Sequence, residues 1–134
     1  MSRLALHHVS IITNDLERSL SFYRDVLGLT EIQRPNFPIR GAWLACGSLQ
    51  LHLVVHPEGS FRSSRSIDRN DWHFALRTDE FERVVQRLID AGFREDLPEG
   101  DPMRLLIARS GPAGFPQLYL CDPDRNVVEV NGAA

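Results

Sequence analysis

The chain has 134 residues, of which 43% are hydrophobic and 25% charged, an ordinary globular make-up with enough apolar material for one core. A net charge of −3 gives no electrostatic case for a nucleic-acid partner, and two cysteines, Cys46 and Cys121, are too few for a disulfide framework. No apolar run approaches the roughly 20 residues that span a bilayer, and the first apolar stretch, broken by His7, His8 and Ser10, does not read as a secretory signal; a cytoplasmic protein without a membrane partner is expected.

In chain order, residues 4–13 alternate well enough for a strand, with Leu6, Val9 and Ile11 as apolar anchors. Asn14 then offers a helix cap, with Glu17 three positions on to reach back to it. The helix presents Leu16, Leu20, Tyr23 and Leu27 on one face, and Gly28 stops it. Shorter apolar runs near 30–34, 41–46 and 49–55 read as antiparallel strands. Glu58 to Asn70 is polar and rich in Ser and Arg, hence a linker. Its Arg62, Arg65 and Arg69 could contact an anion, although a solvated loop is the stronger reading.

The chain then repeats itself. The run His8-Val9-Ser10-Ile11-Ile12-Thr13 returns as His73-Phe74-Ala75-Leu76-Arg77-Thr78, and Glu17-Arg18 returns as Glu82-Arg83 at the same offset. Two copies of this length indicate a duplicated supersecondary unit rather than a solenoid. Asp79 and Glu82 repeat the capping pattern, Phe81, Val84, Val85, Leu88 and Ile89 share the second helix's apolar face, and Gly92 closes it. Strands are expected near 93–96, 103–109, 116–121 and 126–131. Between them, Gly111 to Pro116 reads as a loop and Asp122 to Asn126 as a turn.

Strand parity selects the chemistry. His8, Ser10 and Ile12 share one face and His7, Val9 and Ile11 the other, so only one of the adjacent histidines can enter a common pocket, and the repeat selects His8 as the mate of His73. The run Gly47 to Leu53 aligns without a gap on Asp124 to Val130, which pairs His52 with Glu129. A lone histidine or glutamate at a strand centre is usually at the surface or a satisfied core group. Four at equivalent places in two copies are harder to dismiss. Burying Glu129 between Val128 and Val130 as an anion is costly, and a divalent cation held by imidazole and carboxylate would relieve that cost. Gln50 shares the face of His52 as a supporting or substitute ligand; His7 and His56 read as structural or exposed.

The segments Leu6-His7-His8-Val9-Ser10-Ile11, Phe22-Tyr23-Arg24-Asp25-Val26-Leu27-Gly28-Leu29, Trp72-His73-Phe74-Ala75-Leu76 and Tyr119-Leu120-Cys121-Asp122-Pro123-Asp124, with Val128-Glu129-Val130 after them, resemble the vicinal oxygen chelate superfamily. That superfamily holds glyoxalase I, fosfomycin-resistance thiol transferases, bleomycin-resistance proteins, methylmalonyl-CoA epimerase and extradiol dioxygenases. The resemblance covers nearly the whole chain. It implies a single α+β domain over residues 1–134: two βαβββ modules, about 4–57 and 71–132, joined by a linker of about 58–70, with curled sheets forming a metal-binding cup. The metal ligands it implies are His8, His52, His73 and Glu129. Two departures stand out: bacterial-type glyoxalase I usually has glutamate where this chain has His52, and Arg125 replaces a common glycine in the Asp-Pro-Asp turn.

The leading expectation is a metal-dependent, glyoxalase-I-like isomerase or lyase acting through an enediolate on a vicinally oxygenated small molecule. Nickel, cobalt, zinc, manganese or iron would serve as Lewis acid, and Glu129 or metal-bound hydroxide as base. Glutathione or another thiol is the candidate co-substrate. Three alternatives stay open: a thiol transferase of the fosfomycin-resistance type, an Fe(II) extradiol dioxygenase in which His52 is an acid–base residue, and a metal-free drug-binding protein of the bleomycin-resistance type. Ser10 and Tyr119 resemble substrate-contacting positions of the transferases. The chain contains no lysine, so any anion clamp must use arginine, such as Arg104 or Arg109. A homodimer is expected, since each module's curled sheet has an edge to cover.

Overall fold

The computed structural model describes residues 4–58, 66–70 and 72–133, so Arg62 and Arg65 lie outside the described residues. The chain divides into two compact units between residues 59 and 60. The class is α+β, with two four-stranded mixed sheets. No described helix is long and apolar enough to cross a membrane.

The first unit runs β1 (His8–Thr13), α1 (Leu16–Leu20) continued by a π-helical segment (Ser21–Val26), β2 (Thr30–Ile32), β3 (Gly41–Cys46) and β4 (Leu49–Val55). Its sheet order is β1-β4-β3-β2, with β1 parallel to β4 and the other pairs antiparallel. Alternation sorts the sheet's two faces. Ile11 and Thr13, Ala42 and Leu44, and Leu51 and Leu53 are all buried on the helix side, with Leu16, Leu20, Phe22 and Tyr23. Thr13 and Ser19 join hydroxyls at 2.6 Å inside this core.

The first helix departs from the expected stripe. Leu27 N–H donates to Phe22 C=O at 2.9 Å, the wider spacing of a π turn. The added residue lets the adjacent Phe22 and Tyr23 both enter the core, at 5% and 0% exposure, and leaves Leu27 only half-buried. Gly28 ends the helix at φ 79°, the left-handed conformation its position predicted. The cap moves by one residue. Asp15, not Asn14, accepts the Arg18 N–H at 3.1 Å, because Asn14 Oδ1 is taken by the Arg18 guanidinium at 2.7 Å. The first strand also starts later than expected, at His8; before it, His7 C=O accepts the Gln50 N–H.

The second unit repeats the plan: β5 (His73–Thr78), α2 (Phe81–Asp90), β6 (Leu106–Ala108), β7 (Gln117–Cys121) and β8 (Val127–Gly132), in sheet order β5-β8-β7-β6 with β5 parallel to β8. Phe81, Val85 and Leu88 of α2 are buried, as are Leu118, Leu120, Val128 and Val130 of the sheet; Ile89, expected on the same stripe, is exposed. The capping box of Asp79 and Glu82 does not form. Glu80 occupies the cap with no side-chain cap bond, its N–H goes to Thr78 Oγ1, and Glu82 turns away to bind Arg109 through two hydrogen bonds of 2.8 and 3.2 Å. The strand expected at 93–96 reduces to one bridge between Arg94 and Arg104, because Pro98, Gly100 and Pro102 make the intervening chain turn.

The Asp122–Asn126 turn is built as expected from its Asp and Asn. Asp122 Oδ1 accepts the N–H groups of Asp124 and Asn126 at 2.9 and 2.8 Å, and its Oδ2 accepts the Asn126 amide at 2.9 Å. Arg125 sits at φ 67°, a left-handed conformation that glycine would adopt without strain.

Candidate metal and substrate site

In the first unit, the face away from the helix carries His8 and Ser10 from β1, Gln50, His52 and Val54 from β4, and Trp43 from β3. The ladder sets Ser10 beside His52 on one side and Trp43 beside it on the other. The result is a stack of rings. His8 lies 4.0 Å from His52 at 18°, and His52 lies 4.1 Å from Trp43 at 3°. His52 is buried, whereas His8 and Ser10 are exposed. His52 Nε2 and Gln50 Oε1 are 2.8 Å apart; since an amide oxygen only accepts, the imidazole carries its proton at Nε2 there. Burial first, then coulombic coupling to the neighbouring His8, His7 and Arg34, push the His52 pKa down, which favours its neutral ring. His7 sits apart from the stack, with its Nδ1 2.9 Å from that of His8. Beside the stack opens a cavity of about 570 Å³ lined by both of these histidines, His52, Trp43, Phe37 and Ile39 among others.

The second unit uses the equivalent face for a different environment. His73 comes from β5, Glu129 from β8, and Gln117 and Tyr119 from β7, with Tyr119 directly across the ladder from Glu129. Glu129 is buried. Its Oε1 lies 3.3 Å from His73 Nε2, and its Oε2 accepts from the Asn131 amide at 2.7 Å and the Gln117 amide at 3.3 Å. Arg77 Nε in turn donates to Asn131 Oδ1 at 2.7 Å, fixing that amide's orientation. Burial opposes ionisation of Glu129, but the hydrogen bonds from Asn131, Tyr119 and Gln117, with His73 beside them, outweigh it and hold the carboxyl below its usual range. Burial and the neighbouring carboxylate push the Tyr119 phenol up. Its ring meets His73 edge-on at 5.7 Å.

Each unit therefore brings two of the four expected ligands together: His8 with His52, and His73 with Glu129. Among the described residues no three His, Cys, Asp or Glu side chains cluster. The donor chemistry still fits a divalent transition metal, because neutral imidazoles and an ionised carboxylate are what such ions take. Two donors from one unit are short of the three protein ligands usual in a catalytic zinc site.

Sequence reasoning missed Trp43, Asn131 and Arg77. Trp43 was countable, since the Gly47-Ser48 turn pairs Cys46 with Leu49 and hence Trp43 with His52. Asn131 follows Glu129 by two positions, which puts it on the same face. Arg77 could not be found that way, because its contact depends on the register of β5 against β8. Of the two arginines considered as anion clamps, Arg109 is occupied by Glu82.

Comparison with known proteins is consistent along the chain's length. A family model described as the Glyoxalase/Bleomycin resistance protein/Dioxygenase superfamily matches residues 5–130. A protein named Glyoxylase I 4 from Arabidopsis thaliana is 29% identical over 128 residues, covering 94% of this chain and 69% of that protein. The glutathione transferase FosA of Serratia marcescens is 28% identical over 130 residues, covering 95% of this chain and 79% of the other. Among solved structures, a lactoylglutathione lyase from Agrobacterium tumefaciens superposes with a TM-score of 0.69 at 24% identity, over 98% of this chain and 96% of that one.

Proposed function

The chain belongs to the glyoxalase/bleomycin resistance protein/dioxygenase superfamily, and from that premise we propose that it is a metal-dependent isomerase or lyase of the glyoxalase I kind, acting on a small molecule with vicinal oxygens. His8, His52, His73 and Glu129 hold the metal in this reading, and glutathione or another thiol supplies the adduct. A divalent cation bound by them would act as a Lewis acid toward the substrate's oxygens.

The observation that carries the proposal is the state of Glu129. It is buried, yet its hydrogen bonds keep it ionised, and its Oε1 faces His73. Such a carboxylate can take a proton from the carbon next to a carbonyl and return it to the neighbouring carbon, so that no atom is gained or lost. Asn131 and Gln117 hold Oε2 still while Oε1 does this. Trp43, Phe37 and Ile39 offer apolar surface to the substrate's carbon skeleton and exclude water there. In this reading Ser10 and Tyr119, on the same faces as the proposed ligands, touch substrate, and Gln50, 2.8 Å from His52, positions that imidazole.

The test joins elemental analysis of protein purified without added metal to an assay of methylglyoxal–glutathione adduct isomerisation. Bound nickel, cobalt, zinc or manganese with turnover supports the reading. Bound iron with ring cleavage of a catechol would replace it with dioxygenation. His52→Glu, which installs the residue more usual in bacterial-type glyoxalase I, should keep measurable turnover. No isomerisation from either protein across the metal series would overturn the proposal.

A second reading is thiol transfer to an epoxide, favoured by the likeness to FosA and by Tyr119 standing beside Glu129. Glutathione-dependent consumption of fosfomycin would select it. The working unit in either reading is a cytoplasmic homodimer, supported by β1 and β5, six-residue strands that each end a sheet. Light scattering at twice 15.2 kDa would bear this out, and a stable monomer at micromolar concentration would refute it.

A further inference from the structure

The second unit carries a recess beside the Glu129 cluster whose arginines the proposed chemistry does not use. It encloses about 320 Å³, and Arg69, Arg104, Glu95, Tyr119, Leu106 and Ile107 are among its walls. Arg104 Nε is shut away from solvent with no hydrogen-bond partner among the described residues. Buried donors are nearly always paired, and an unpaired one on a permanently charged guanidinium calls for an acceptor. Arg69 stands nearby with its guanidinium carbon 6.0 Å from the Tyr119 ring centre. Neither arginine forms an ion pair among the described residues. Glu95 supplies one negative charge against their two positive ones.

Arg109 is clamped by Glu82. Arg34 of the first unit also has a buried Nε without a partner among the described residues, but its Nη2 donates to Ile39 C=O at 2.9 Å, its guanidinium lies over the Phe37 ring at 4.9 Å, and no second arginine among those residues lines its cavity. Arg104 alone among them combines a buried unpaired donor with a second cation in the same recess.

We propose that this recess is an oxyanion subsite, in which Arg69 and Arg104 bind the carboxylate or phosphate-type group of a small molecule. A planar guanidinium fork matches both oxyanions, and in a chain without lysine arginine is the permanently charged side chain that can clamp them. Leu106 and Ile107 supply apolar contact to the atoms next to the charged group. Tyr119 is the shared wall: it lines the recess, pairs with Glu129 across the ladder and touches His73. An anchored molecule would extend past Tyr119 toward Glu129. Only this last statement rests on the catalytic reading above; the subsite itself does not.

The test follows the Arg69 and Arg104 Nε–H signals by NMR while inorganic phosphate, or separately succinate, is titrated into the wild-type protein. Saturable shifts of both signals are expected with at least one probe, and the tighter probe names the oxyanion. Affinity should fall roughly tenfold in Arg104→Met and in Arg69→Met, each checked for an unchanged fold by its amide spectrum. No saturable shift with either probe would overturn the subsite, and so would unchanged affinity in both variants. Because binding is read without turnover, the two readings fail separately. Isomerisation without anion binding would discard the subsite and keep the enzyme; anion binding without isomerisation would do the reverse.

Discussion

The two units share a plan, βαβββ with the first strand parallel to the last, and use the same face of the sheet for opposite purposes. In the first, His52 is held by flat rings, His8 on one side and Trp43 on the other, beside an apolar cavity. In the second, Glu129 is held by amides, with Asn131 and Gln117 on one oxygen and His73 at the other. Burial beside other basic groups favours a neutral imidazole; a ring of hydrogen-bond donors favours a charged carboxylate even under burial. A repeated backbone thus fixes where side chains point, while three or four neighbours on the same face decide their charge.

The largest expected effect breaks the acidic half. Glu129→Gln keeps the shape but removes charge and base, so turnover should fall by roughly 10²–10⁴-fold with little change in melting temperature. Loss of tenfold or less, measured by steady-state kinetics with saturating metal, would assign the proton transfer elsewhere.

Next comes the support of that carboxylate. Asn131→Leu removes the 2.7 Å bond to Oε2 and strands Arg77, and should lower metal affinity or turnover by about 10–100-fold. Asn131→Asp, which keeps an acceptor for Arg77 and loses the donor to Glu129, should not restore it. Equal activity in both variants and wild type would show that Glu129 needs no such support.

The aromatic half should give a smaller response. Trp43→Leu removes one face of the His52 stack at a cost of about 1 kcal/mol in denaturant unfolding. It should also raise KM for an apolar substrate more than it lowers turnover, because it touches the cavity wall and no proton. A loss of turnover as large as that of Glu129→Gln would erase the division of labour between the units.

Smallest of all is the ion pair that displaced the second capping box. Arg109 holds the Glu82 carboxyl below its ordinary value of 4.5, chiefly by hydrogen bonding. A carboxyl depressed in the folded state contributes stability above its unfolded pKa and loses it as the pH falls through the folded value. Arg109→Ala should therefore let Glu82 titrate nearer its ordinary value by NMR and weaken the acid-side dependence of stability. The pair is exposed, so the melting temperature at neutral pH should barely move.

The sequence by itself determined the duplicated α+β plan, the strand centres, the face on which His8, His52, His73 and Glu129 lie, and the glycine stops at Gly28 and Gly92. These are local matters: side-chain alternation along a strand, periodicity along a helix, and the backbone freedom of glycine are written within a few residues. Tertiary structure decided what competes for each group. Glu82 could have closed a capping box, but Arg109, 27 positions away, takes it. Leu27 fits an α-helical stripe, yet burying Phe22 and Tyr23 together widens the helix into a π turn. Register between β5 and β8 sets Arg77 against Asn131, and so reaches Glu129. Each outcome is a choice between partners of similar strength, and such choices are settled by which groups packing brings within about 3 Å.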